Sequence, residues 1–417
     1  MASDTPTDNR VEGTGGLAGG AARTSPPRLF LMALRLGLTS FGGPAAHIGY
    51  FRREFVERRR WLDEAGFADL LALCQFLPGP GSSQFGFAVG YLRGGLAGAA
   101  AAWLGFTLPS AVLMLLFAGG VGWLPDLAAA GWLHGLKVAA VAVVAQAVWQ
   151  MGRALCPDWP RLLLAAAALG ALLAWSEAWV QLAAIAGGAL GGWALLRNLD
   201  VVPTAVGADG ASAPRRRRGL VWLGVFVALL VGLPLVVTAT GDAGWVALVD
   251  RFYRVGSLVF GGGHVVLPLL EAEVVTPGWL SHDTFLAGYG AAQALPGPLF
   301  SFATYLGAVS NVGPGGVVGG LLALAAIFLP GLLLVLGAWP FWQLLRGRPA
   351  AQAALRGANA AVVGVLAAAF CRPVLPAGVT DGRSLALALA LFAGLQWAKV
   401  PAWAVVVVAA AAGWLWL

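Results

Sequence analysis

Charge is scarce in this sequence: 26 Lys and Arg and 19 Asp and Glu among 417 residues, against 59% hydrophobic residues. With a mean hydropathy of +0.79, that polar complement excludes an ordinary soluble domain and argues for a polytopic membrane protein. Cysteine is scarcer still. Cys74, Cys156 and Cys371 lie far apart without CxxC or Cys/His spacing, which excludes a disulfide framework and a cysteine metal site. There is no GxxxxGK loop, no dinucleotide-binding glycine fingerprint and no HExxH, so ATP hydrolysis, cofactor redox and zinc hydrolysis lack a motif. No cofactor and no metal are expected. The net charge of +7 meets no basic patch interleaved with aromatics on a soluble segment, so nucleic acid is not an expected partner.

What is abundant is apolar sequence. Runs at Val138–Val148, Leu162–Trp175, Val180–Leu196, Leu220–Thr240, Val317–Trp339 and Leu385–Phe392 recur at helix-plus-turn spacing. They are continuous rather than alternating, which selects an all-α membrane protein over a barrel, with about 12 transmembrane segments. Residues 1–27 are small, polar and rich in Pro and Gly, and read as a disordered tail without signal-peptide order. Residues 198–219 form the long internal polar stretch. Its four arginines, Arg215 to Arg218, place it in the cytoplasm as a linker between two units, 28–197 and 220–417.

The two units are copies. At an offset of 219, LRLGLTSFGG (Leu34–Gly43) falls on YRVGSLVFGG (Tyr253–Gly262). At 218, WLDEAGFADLLALCQFLPGP falls on WLSHDTFLAGYGAAQALPGP with eight of 20 positions identical, where chance would give about one or two. FTLPS ending at Ser110 and IFLPG ending at Gly331 extend the match. Equivalent loops differ in charge. FRREFVERRR (Phe51–Arg60) is basic, whereas its counterpart carries Glu271, Glu273 and Asp283, and no Lys or Arg occurs between Arg254 and Arg346. Copies facing opposite ways across the membrane, an inverted-topology repeat with broken or re-entrant helices, would produce this; drift in a parallel repeat is the alternative.

Proline and glycine inside apolar segments locate candidate site residues. Proline removes a backbone hydrogen bond and glycine weakens the helix, and broken backbone at membrane depth is tolerated where it is buried or lines a cavity. One pair of breaks is Pro78, Gly79, Pro80 and Gly81 with Ser82 and Ser83, against Pro296, Gly297 and Pro298 with Ser301. The other is Ser40, Phe41, Gly42 and Gly43, against Phe260, Gly261, Gly262, Gly263 and His264. A helix restarting after each break offers unpaired amides to an anion. Gln75 and Gln293 are uncharged donors beside the PGP turns. Serines also recur at helix contacts as packing. Arg35 and Arg254 present guanidinium groups to an oxyanion, or instead snorkel and pair with Asp250 respectively. Asp69, Glu271 and Glu273 are candidates for proton coupling, although interfacial solvation explains the two glutamates equally well.

Taken together, RLGLTSFGGPAAHIGYFRREFVERRRWL, LCQFLPGPGSSQ, VGSLVFGGGHVVLPLLEAEVV and AQALPGPLFSFATYLGAV resemble the chromate ion transporter family in its long two-domain form, over roughly Leu29 to Leu417. The resemblance implies secondary transport rather than enzymatic chemistry: efflux of chromate across the bacterial inner membrane, with chromate resistance as the result. It implies sulfate as a competitor or alternative substrate. Expected partners are then chromate, sulfate, the lipid bilayer and a second copy of the chain, with the tail and linker cytoplasmic. Rival readings are a sulfate or other oxyanion carrier, a membrane-embedded enzyme, for which the scattered acids supply no catalytic set, and a passive anion channel. Cys74, facing Ala292 in the copy, is unexplained.

Overall fold

The computed structural model describes residues 23–123, 131–175, 178–197, 213–240, 244–260, 265–342 and 348–416, which are helical with no strand among them. Most of the expected tail and residues 198–212 of the linker lie outside the described residues.

The first repeat runs α1 (Pro26–Thr39), α2 (Gly43–Arg52), α3 (Glu64–Phe76), α4 (Gly81–Trp123), α5 (Gly131–Leu155), α6 (Trp159–Ala174) and α7 (Ala178–Leu196). A connecting helix follows, α8 (Ala213–Thr240). The second repeat runs α9 (Trp245–Leu258), α10 (Val266–Val274), α11 (His282–Ala294), α12 (Phe302–Val309), α13 (Gly316–Ala338), α14 (Pro349–Ala369), α15 (Gly382–Gln396) and α16 (Ala402–Trp416). Capping follows the repeat. The Asp63 side chain accepts from the Gly66 amide at the start of α3, and Ser281, its equivalent, accepts from Thr284 at the start of α11.

Among the described residues the first repeat begins with two helical hairpins, and the second repeat holds the equivalent of one of them. In α3–α4 the PGP turn is the tip, since Phe67 and Phe85 on its two arms meet at 4.8 Å. In α11–α12 the Tyr305 hydroxyl donates to the Thr284 carbonyl at 3.1 Å across the equivalent tip. A second hairpin, α1–α2, turns at Ser40–Gly43. Gly37 before the tip lies against the Phe106 carbonyl, and Phe51 after it packs on the Phe106 ring at 5.3 Å. Helix α4 is itself two arms. Gly94 and Gly95 leave helical geometry, Gly95 at φ 64, and Gly90 of one arm packs on Gly98 of the other. Gly315 at φ 60 makes the same turn between α12 and α13, where Gly307 meets Gly319.

The equivalent long helices run in opposite directions. Trp103 of α4 meets Phe328 of α13 edge-to-face at 5.6 Å, while Leu115, further along α4, faces Gly320, earlier in α13. Helix α8 lies between the two repeats. Its Leu220, Val221, Val227 and Leu235 are exposed, as suits a lipid-facing helix. The expected start of the second unit at residue 220 falls inside α8, which already begins at Ala213.

Six stretches are long and apolar enough to cross a bilayer: 81–120, 131–155, 179–196, 216–240, 316–341 and 349–378. Trp159–Ala174, Leu299–Val309, Gly382–Gln396 and Ala402–Trp416 are shorter apolar helices. The chain is a multi-pass membrane protein. The 81–120 stretch contains the bend at Gly94–Gly95, so it is two helical arms rather than one straight helix.

The repeats are exchanged rather than side by side. Helix α16 packs on α5, with Gly135 against the Ala409 carbonyl, and α7 packs on α14, with Gly188 and Gly192 against Gly357. Small residues let these backbones touch where lipid provides no hydrophobic drive for association.

Candidate functional site

The four tips meet in pairs across the repeats. The Gly79 amide in the first PGP turn donates to the Val259 carbonyl of the second repeat at 2.7 Å, and the Gly297 amide donates to the Ser40 carbonyl of the first at 2.9 Å. Gly79 lies beside Gly331, and Gly297 beside Ser110, again equivalent positions. Gly42, Gly43, Gly79 and Gly297 have φ of 96, 73, 121 and 97, a region open to glycine at little cost. Gln84 locks one pair, donating from Nε2 to Pro78 O at 2.8 Å and Gly331 O at 3.1 Å. The Ser301 hydroxyl donates to Pro298 O at 2.7 Å. His47 Nε2 lies 3.2 Å from Ser40 O, which therefore gathers two partners.

Beside the Ser40/Gly297 pair is a cavity of about 420 Å³. Gly42, Gly43, Gly297, Gln293, Gln146, Gln150, Gln396 and Lys399 line it with apolar neighbours, and no carboxylate is among them. Gln293 shares a hydrogen bond with Tyr289, yet its Nε2 is buried without a partner. The hydroxyls of Ser40, Ser83, Thr107 and Thr304, and His47 Nδ1, are likewise buried and without a partner. A buried polar atom left unpaired costs about 1–3 kcal/mol, and among those just named Gln293 is the one that lines the cavity, where a polar ligand or water would restore its lost bond. Neutral amide donors, backbone amides and one ammonium suit a small anion. No group of three or more His, Cys, Asp or Glu side chains able to hold a metal exists among the described residues.

The structure distributes the expected site residues unevenly. Ser40, Gly42, Gly43, Gln293, Pro296, Gly297, Pro298 and Ser301 gather at or beside the cavity pair, and Pro78, Gly79, Pro80, Gly81, Ser82 and Ser83 at the other pair. Phe41 is half-buried with its ring 6.4 Å from Trp403, and Phe260 is half-buried. Gly261 to His264 lie outside the described residues. Arg35 is exposed on α1 and Gln75 is exposed on α3, and neither lines the cavity. Arg254 pairs with Asp250 and reaches Glu273 at 3.7 Å, and Glu273 also holds Arg251 at 2.7 Å. That is the pairing alternative, in which the guanidinium is engaged by protein carboxylates. Glu271 sits 3.1 Å from His282, and Asp69 accepts from Trp342 Nε1 at 2.9 Å.

Sequence reasoning missed Gln84, Gln146, Gln150, Gln396 and Lys399. Gln146 lay inside a stretch read as simply apolar, Val138–Val148, and the i,i+4 spacing of Gln146 and Gln150 was the available signal.

Charge separates the two ends of the molecule. Thr24, bonded to Arg93 O, the Arg52–Arg60 segment and the start of α8 lie at one end, the basic face. There Glu54 accepts from Arg59 at 2.5 Å and Arg58 at 3.1 Å. Burial alone would raise the Glu54 carboxyl; those two arginines outweigh it and hold it below the usual carboxylate range.

Residues 27–193 and 246–414 each match the chromate transporter family, and the gap between the matches contains α8. A chromate transport protein of Pseudomonas aeruginosa is 30% identical over 94% of this chain and 92% of its own length. One of Cupriavidus metallidurans is 27% identical over 84% of both chains, and a probable chromate transport protein of Synechococcus elongatus is 28% identical over 81% of both. No solved structure matches the chain.

Proposed function

This chain belongs to the chromate transporter family, and from that premise we propose that it exports chromate from the bacterial cytoplasm by secondary transport, conferring resistance to the oxyanion. The observation that carries the reading is the cavity between tips of both repeats, lined by amides and a lysine and free of carboxylates. A tetrahedral dianion needs several donors at once and is repelled by carboxylates, and Gln293 Nε2 lies buried there without a partner. Sulfate has the same charge and shape, so it competes.

The positive-inside rule orients the basic face toward the cytoplasm in the inner membrane. Moving a dianion outward is then downhill by about 4.6 kcal/mol at 100 mV, from about 2.3 per charge, so the membrane potential alone suffices to drive export. The exchanged tips suggest how access alternates: one pair borders an open cavity while Gln84 packs the other shut, and rocking one repeat against the other would swap the two conditions.

Chromate uptake into everted inner-membrane vesicles, with an imposed potential and sulfate as competitor, tests this. Saturable, potential-dependent and sulfate-sensitive accumulation is expected. No accumulation above empty vesicles, with the protein folded, would retract chromate; non-saturating flux would replace the carrier with a channel.

A further inference from the structure

We propose that the α15–α16 turn is an anion-recruiting mouth, in which Lys399, with Gln150 and Gln396, binds a tetrahedral dianion before it reaches Gln293 and Gly297. The proposal rests on the oxyanion reading above and adds a residue set and a direction of approach.

Position comes first. Helices α15 and α16 have 15 residues each, so the turn joining them stops about 22 Å along. Their far ends lie beside the start of α5, where Thr380 contacts His134 and Gly413 packs against Gly131. That start is at the end opposite the basic face, since Trp132 packs on Phe117 far along α4. The turn therefore lies toward the basic face, level with Gln146, whose Nε2 donates to Leu395 O at 3.0 Å and ties turn to helix. Gln150 is one helical turn closer to that face and is exposed, as is Lys399.

Charge comes next. Lys137, the chain's other lysine, is neutralised by Asp283 at 2.7 Å. Lys399 opens on a cavity without a single carboxylate in its lining. Its backbone holds φ 53, in the left-handed region that an L-residue rarely occupies, and Val400 N to Gly394 O at 3.0 Å closes the turn around it. A compact ammonium attracts a dianion over a distance, and the glutamine amides then supply bonds without a countercharge that would hold it back. A phospholipid phosphate shares this chemistry, so the test separates the two.

The experiment places a reporter thiol by Ala402→Cys, at a cavity-lining position outside the proposed binding set, in a chain carrying Cys74→Ala, Cys156→Ser and Cys371→Ser. Its rates of modification by an anionic and a cationic methanethiosulfonate are compared in detergent, with and without Lys399→Glu. The anionic reagent is expected to be favoured several-fold, Lys399→Glu to reverse the preference, and millimolar sulfate, but not phosphatidylglycerol, to slow labelling. In everted vesicles Lys399→Gln should raise the half-saturating chromate concentration several-fold at nearly unchanged maximal rate, with Lys399→Arg close to the parent. Preference unaltered by Lys399→Glu, no protection by sulfate, or protection by the lipid alone would each overturn the mouth. If the parent transports chromate while labelling ignores Lys399, this inference falls and the transport reading stands. If sulfate protects but no chromate moves, the mouth stands and the chromate reading falls.

Discussion

Replacing Gly297 by alanine puts a methyl group where the fold has closed the space. The residue sits at φ 97, and a Cβ there would stand 3.0 Å from Ser110 Oγ and 3.3 Å from the Phe106 carbonyl. The backbone conformation costs an L-residue about 1–2 kcal/mol. Crowding against a packed helix adds about 1–3 kcal/mol, so Gly297→Ala should destabilise by about 2–5 kcal/mol. The crowding share can be relieved. The equivalent of Ser110 in the second repeat is Gly331, so Ser110→Gly removes the clashing hydroxymethyl while leaving the strained φ. A double-mutant cycle in detergent-solubilised protein, read by thermal unfolding, should therefore show coupling of about 1–2 kcal/mol, with partial recovery of chromate flux in the pair. Unchanged stability and flux in Gly297→Ala would refute the packing argument. A fully additive cycle would refute the contact between the PGP turn and α4.

Gln293→Leu removes the unpartnered amide nitrogen together with the hydrogen bond shared with buried Tyr289, so stability should fall by about 1–3 kcal/mol while chromate flux in vesicles of folded protein falls at least tenfold; retained flux removes Gln293 from the path. Glu273→Gln should lower thermal stability, since it takes the countercharge from Arg251 at 2.7 Å, whereas exposed Arg35→Gln should change stability by less than about 0.5 kcal/mol; equal effects would contradict the assignment of Arg254 to the ion-pair cluster. Glu54 has a depressed pKa in the folded protein, so its contribution to stability is complete above the ordinary carboxylate range and is lost as pH falls through the folded value. Glu54→Gln should flatten the acid side of the unfolding profile, and an unaltered profile would deny Glu54 that role.

Much of the architecture was legible because it is written twice. Identical Trp, Phe, Gln and PGP positions disclosed the repeat, and proline and glycine disclosed the tips, since their backbone chemistry needs no tertiary context. What stayed hidden depends on contacts between distant segments. That Gly297 binds Ser40, and Gly79 binds Val259, cannot be inferred from either repeat alone, because each bond joins segments from different repeats. Arg254 matches Arg35 of the first repeat and precedes a break, yet Asp250 and Glu273 hold it; only geometry chooses between ligand and neighbour. The cavity glutamines were masked by hydrophobic surroundings, and Lys399 lies in a turn between two apolar helices that carries no Pro-Gly-Pro break of the kind that marked the tips.

The exchange of tips also sets an order of events on the ribosome. When Gly79 leaves the exit tunnel, the carbonyl of Val259 and the surface of Gly331 that will receive it are still unwritten. At about 5–20 residues per second they follow roughly 10–50 s later. For that interval the first repeat has its apolar helices in place but a PGP tip whose amide has no native acceptor and a Gln84 whose second carbonyl does not yet exist. The nascent half therefore lacks the partners of its first PGP tip until Val259 and Gly331 have been made.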